Sequence, residues 1–158
     1  MKKIFVSTLT VLLLVLALAT ATLAAAGQRE LLLKGSLQAT ETQQGAPPSI
    51  LVNVSGSGNA TQLGLFTISS QVELTVPALS STTSAVLVAA DESTLLAKGN
   101  GQGTVITPPL IVSIVETYTI TGGTGRFEGA SGSFTVERVL NRATGISSGT
   151  INGTIFLP

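Results

Sequence analysis

The sequence has no histidine, no cysteine and no tryptophan, and its 158 residues include a single tyrosine. Without histidine it lacks the usual acid–base group at neutral pH and the commonest metal ligand. Ser-His-Asp and Cys-His catalytic arrangements are therefore excluded. Ordinary zinc sites are excluded as well, and with Asp91 as its only aspartate the chain gives little support to a calcium loop. The sequence predicts no catalytic residue, no metal site and no cofactor.

Charged residues are also scarce, at 10% of the chain, and they form no basic stripe. A nucleic-acid partner would require clustered lysine and arginine to neutralise phosphates. We therefore expect no nucleic-acid partner. The absence of cysteine also means that no disulfide stabilises the fold, so stability has to come from packing and from backbone hydrogen bonds.

The first 26 residues have the features of a secretory signal peptide. Lys2 and Lys3 precede an apolar run over residues 4–18, and small residues follow at positions 22–26. The run is short for a membrane span, which needs about 20 residues. We therefore expect residues 1–26 to be cleaved and residues 27–158 to form one secreted domain, extracellular or periplasmic, that does not contact the membrane after cleavage.

The remaining sequence is typical of β-strands. In residues 65–76 apolar and polar side chains alternate with a period of two, and only Ser70 interrupts the apolar set. Similar but less regular patterns predict further strands at residues 33–40, 50–54, 85–90, 94–98, 110–120, 133–140 and 146–157. Loops are expected at residues 41–49 and 99–103. About eight strands without a helix predict an antiparallel barrel or sandwich.

Two charged residues are predicted to face the interior. Glu116 is the only charge on the mostly apolar even-numbered face of residues 110–120, and Arg138 is the only charge on the corresponding face of residues 133–140. If Ile120 lies opposite Phe134 in a hairpin, Glu116 lies opposite Arg138. The pair is either a structural ion pair or a polar anchor for a small ligand, with Tyr118 nearby. We take Glu116, Tyr118 and Arg138 as the candidate ligand-binding residues.

A Gly-rich segment, residues 122–134, joins these two strands. A dinucleotide-binding loop is rejected because Glu128 stands where the third glycine belongs and because a strand follows, whereas an anion site needs a helix N-terminus. We expect instead a wide turn whose glycines adopt positive φ and whose Phe127 closes one end of the barrel.

Residues 119–134 resemble the Gly-rich hairpin of the allene oxide cyclase and dirigent superfamily of calycin-like barrels, which includes secreted bacterial proteins of uncharacterised function. Residues 59–64 are also similar to those bacterial proteins. The resemblance implies a single eight-stranded antiparallel β-barrel. It also implies a possible homo-oligomer, because trimers are common among the plant members. It carries no catalytic residue over to this chain.

Three functions are compatible with the sequence. The first is a secreted, non-enzymatic barrel that binds a small apolar ligand or serves as a stable extracellular module. The second is an enzyme of the cyclase or dirigent kind that holds a reactive apolar substrate. The third is a structural or adhesive surface protein. An interior completely filled by side chains would exclude both ligand-dependent functions.

Overall fold

The structure is a computed structural model that describes residues 27–158, so the predicted signal peptide lies outside the described residues. Eight consecutive strands form an antiparallel meander, and β1 pairs with β8 to close a barrel. The strands are β1 (Arg29–Ala46), β2 (Ser49–Ala60), β3 (Gly64–Thr75), β4 (Ser80–Val88), β5 (Thr94–Thr107), β6 (Ile111–Gly123), β7 (Ser131–Asn141) and β8 (Ile146–Leu157). The predicted eight-stranded all-β barrel is confirmed.

The alternation of side chains decides which residues fill the barrel. In β3, Phe66, Ile68 and Val72 are buried, while the intervening Thr67 and Gln71 are exposed. The same rule holds around the ring because successive side chains of a strand point to opposite faces of the sheet. Within residues 27–158, no helix is long and apolar enough to span a membrane.

One end of the barrel is densely packed. The connection between β6 and β7 forms a 3₁₀ turn, Gly125–Phe127, that places Phe127 inside the barrel with 1% of its surface exposed. Gly125 and Gly129 flank this aromatic residue with φ of 60° and 71°, in the left-handed region that favours glycine. Buried leucine and isoleucine side chains surround this end: Leu33, Leu63, Leu95 and Ile155. The expected closure by Phe127 is confirmed.

Two segments predicted as loops are mostly strand. Residues 41–46 extend β1 and pair with β2, and residues 99–103 lie within β5. In β5 the glycines are opposite large inward-facing side chains, with Gly99 opposite Tyr118 and Gly101 opposite Glu116. A Cβ on Gly101 would lie 2.9 Å from Cγ of Glu116. These glycines therefore allow the backbone of β5 to lie close to the large side chains of β6 inside the barrel. The loop prediction had interpreted them as turn residues.

Truncation of the aromatic residue at the packed end should be costly. We expect Phe127→Ala to lower the free energy of unfolding by about 3–5 kcal/mol, because the variant loses a fully buried ring and gains a cavity. Phe156→Ala, at a partly exposed phenylalanine, is the matched control and should lose clearly less. Urea denaturation of both variants measures the difference. Equal losses would contradict a special role of Phe127 at this end.

Candidate functional site

The opposite end of the barrel contains a cavity of about 100 Å³. It lies where the connections after β1, β3, β5 and β7 meet, because alternate connections of a meander share one end. Apolar side chains form most of its wall, among them Ile50, Val72, Leu74, Leu79, Val112 and Ile114. Three charged side chains line the cavity deeper along their strands: Glu41, Glu116 and Arg138. The interior is therefore filled at one end and open at the other.

Arg138 is the centre of a buried charged cluster. Its Nε donates to Oε2 of Glu116 at 3.1 Å, and its Nη2 donates to Oε1 of Glu116 at 3.3 Å. This is a bidentate contact between a guanidinium and a carboxylate. Its Nη1 donates to Glu41, from β1, and to Oγ of Ser147, from β8, at 3.2 Å. The three charged side chains are only 4–5% exposed.

The predicted pair of Glu116 and Arg138 therefore forms, but the predicted register is wrong. Arg138 lies opposite Ile114, and Tyr118 lies opposite Phe134. The two rings stack with centroids 4.8 Å apart. The directly opposed pair in this part of the hairpin is therefore aromatic and not charged. The shift of two residues keeps every side chain on its predicted face, because the strand period is two. Arg138 is long enough to reach its diagonal neighbour Glu116.

Tyr118 is buried but is not part of the cavity wall. Its hydroxyl forms a hydrogen bond with Oγ1 of Thr83 at 3.2 Å, and Thr83 in turn contacts Oγ of Ser70 at 2.8 Å. Ser70, which interrupts the apolar pattern of β3, thus has a partner inside the barrel. Of the three predicted site residues, Glu116 and Arg138 line the cavity, while Tyr118 supports the layer behind them.

Sequence reasoning missed Glu41 and Ser147. Glu41 falls in the segment predicted as a loop, although it continues the inward-facing positions of Leu37 and Ala39 with the same period of two. Ser147 likewise occupies a buried position of β8, two residues before Gly149. Extending the alternation through polar residues would have identified both positions.

Burial changes the ionisation of the cluster. It raises the pKa of Glu116 to about 7, although the neighbouring Tyr118 hydroxyl lowers this pKa in part. Burial lowers the pKa of Arg138 to about 10, so the guanidinium remains charged at neutral pH. The pKa of Tyr118 is raised, first by burial and then by the charge of Glu116, so the phenol stays neutral. Glu116 therefore exchanges a proton near neutral pH.

The raised pKa of Glu116 predicts a pH-dependent stability. Because the folded pKa exceeds the ordinary value of 4.5, the contribution of Glu116 to stability is complete below about pH 4.5 and is lost as the pH rises to about 7. The loss is roughly 3 kcal/mol. We expect the difference in unfolding free energy between the wild type and Glu116→Gln to fall by this amount across that window.

Urea denaturation at a series of pH values measures this difference. Glu137→Gln is the matched control, because Glu137 adjoins Arg138 in β7 but is exposed on the outer face. A difference that is independent of pH for Glu116→Gln, or the same dependence in both variants, would contradict burial as the cause.

Neither a known family profile nor a curated protein sequence matches the chain. Among solved structures, the pterocarpan synthase dirigent protein GePTS1 is similar with a TM-score of 0.61 and 13% identity, over 82% of this chain and 88% of that chain. The pterocarpan synthase dirigent protein PsPTS1 is similar with a TM-score of 0.60 and 14% identity, over 81% and 95%. This chain therefore shares the barrel fold of these two dirigent proteins, the fold that the resemblance of its Gly-rich segment implied.

Proposed function

We propose that the protein binds a small, mostly apolar molecule in the cavity and that Glu41, Glu116 and Arg138 hold the polar part of that molecule. The observation that carries the proposal is the position of the buried charged cluster, at the wall of an otherwise apolar cavity. Ligand pockets in proteins typically combine apolar walls with a few placed polar groups.

Stability alone gives no reason for this arrangement. A buried ion pair is often no more stabilising than well-packed apolar residues of similar volume, and an unfilled cavity lowers stability. In this barrel both features occur at the same place, while the other end is filled by apolar side chains. Departures from good packing are expected where a protein has a function to perform.

We also propose that this binding takes place outside the cytoplasm, and the predicted signal peptide supports this location. In the proposed function, the exported barrel captures its ligand in the extracellular or periplasmic space. The closed sheet suits this setting because each of its strands pairs with two neighbours, which reduces the free strand edge through which the chain could aggregate.

Native mass spectrometry tests the proposal. The protein purified from the exported fraction of its own host should carry the added mass of a small molecule. Val112→Phe places a larger side chain in the cavity wall and should abolish this added mass. Val86→Phe makes the same change on the outer face of the barrel and should retain it. A bare polypeptide mass for the wild type would contradict binding and leave the charged cluster as a structural element.

A second candidate function is catalysis on the bound molecule. Glu116 lines the cavity, and its pKa of about 7 suits a general acid or base at neutral pH. The similar solved structures are of dirigent proteins described as pterocarpan synthases. In this function Glu116 transfers a proton to or from a substrate held by the apolar wall.

Glu116→Gln separates the two functions. If the protein is an enzyme, the variant should no longer convert the molecule found by mass spectrometry, even when the molecule is supplied at a concentration that saturates the cavity, because an amide cannot replace a carboxyl group in proton transfer. If the protein only binds, the wild type should return the molecule unchanged after prolonged incubation. Chromatography of the released ligand measures the conversion, and Glu137→Gln controls for the loss of one negative charge.

A further inference from the structure

The hydrogen bonds of Arg138 restrict the kind of ligand that the charged cluster accepts. A guanidinium has five N–H donors. Four are directed at protein acceptors, two at Glu116, one at Glu41 and one at Ser147. An anionic ligand would find a single unused donor on Arg138 and would lie beside two carboxylates that already share its charge. Although it contains a buried arginine, the cluster is therefore not an anion site.

The two carboxylates have acceptor capacity to spare. Each carboxylate oxygen has about two acceptor positions. Among residues 27–158, Arg138 is the only donor that the structure gives to Glu41, and it uses one oxygen of that carboxylate. Both glutamates line the cavity. The buried polar part of the cavity wall thus offers acceptors to a ligand, while Arg138 has one spare donor, at Nη2. The other donors of the wall, on Gln43, Ser81 and Arg142, are half-buried or exposed.

The net charge of the cluster, like its free acceptor positions, disfavours an anionic ligand. Two carboxylates share one guanidinium, so ionised Glu116 leaves an excess negative charge beside an apolar wall. Such a charge is weakly screened there and is costly without a counterion. The other charged residue of the cavity wall, Arg142, is exposed to solvent, where its effect is small.

We propose that the ligand of this cavity carries an ammonium group, which binds Glu41 and Glu116, and a short apolar tail, which contacts Ile50, Val72 and Leu74. The inference rests on the proposed binding function and names the chemical class of its ligand. A neutral alcohol would fill the acceptor positions but leave the excess charge. A carboxylate would bring a third anion next to the two glutamates.

Isothermal titration calorimetry with three probes that contain four carbon atoms each tests this inference. At pH 8 we expect butylammonium to bind at least roughly tenfold more tightly than 1-butanol, which corresponds to about 1.4 kcal/mol, and butyrate not to bind. Butanol or butyrate binding as tightly as butylammonium would overturn the ammonium inference and leave the binding function intact. Failure of all three probes would also overturn it. The binding function itself fails only if the host-derived wild type carries no small molecule.

Proton release provides a readout that does not depend on a variant. Glu116 is contacted by Arg138, which also holds Glu41, and it interacts with Tyr118. An ammonium group beside Glu116 favours its ionised form. Butylammonium, with a pKa like the 10.4 of lysine, stays protonated. Its affinity should rise from pH 6 to pH 8, with protons released to the buffer at pH 7. Equal heats in buffers of different ionisation enthalpy would contradict this.

Two variants complete the test. Glu116→Gln removes the excess charge and should reduce the preference for butylammonium over butanol to about twofold or less. Glu137→Gln changes charge by the same amount on the outer face and should keep the full preference. An unchanged preference in Glu116→Gln would overturn the role of this carboxylate.

Discussion

Closure of eight strands into a ring is the constraint on which the rest of the structure depends. Once β1 pairs with β8, every strand of the described chain pairs with a neighbour on each side, and every second residue of every strand must share one small interior. An inward side chain therefore has to fit the volume left by its neighbours on both sides. At the end near Phe127 buried aliphatic and aromatic side chains meet this demand. At the other end they leave a cavity beside three charged groups.

The interior accommodates its largest polar side chains by placing glycine beside them. Glu116 lies opposite Gly101 in β5, and Arg138 lies opposite Gly149 in β8. Side chains at these two positions would occupy the space that the ion pair uses. The charged cluster is thus a property of several strands: β7 supplies the guanidinium, β6 and β1 supply the carboxylates, and β8 supplies the hydroxyl of Ser147 and the space.

Alternation along each strand was sufficient to predict about eight antiparallel strands in a barrel or sandwich and the inward direction of Glu116 and Arg138. The choice of a barrel came from the resemblance of the Gly-rich segment, and the closing position of Phe127 came from the glycines around it. Alternation failed where two principles compete. Glycine at position 101 usually indicates a turn, but here it allows close packing between strands. The register of β6 and β7 depends on the stacking of Tyr118 and Phe134, which is a contact between strands and leaves no periodic signal. The cavity depends on the summed volumes of side chains from many strands, so no single segment indicates it.

The contact between Glu41 and Arg138 has a consequence for the order of assembly. These residues are 97 positions apart, and the contact joins the first strand to the seventh across the seam closed by β8. Each hairpin of a meander forms from local contacts, but the full set of partners for Arg138 exists only when the two ends of the chain have met. A sheet that remains open leaves Arg138 with Glu116 but without Glu41, so its Nη1 stays in water. Arg138 can leave water at a low cost only when all its partners are in place. The last pairing step and the formation of the cavity wall therefore occur together, and an incomplete or misaligned ring is less stable.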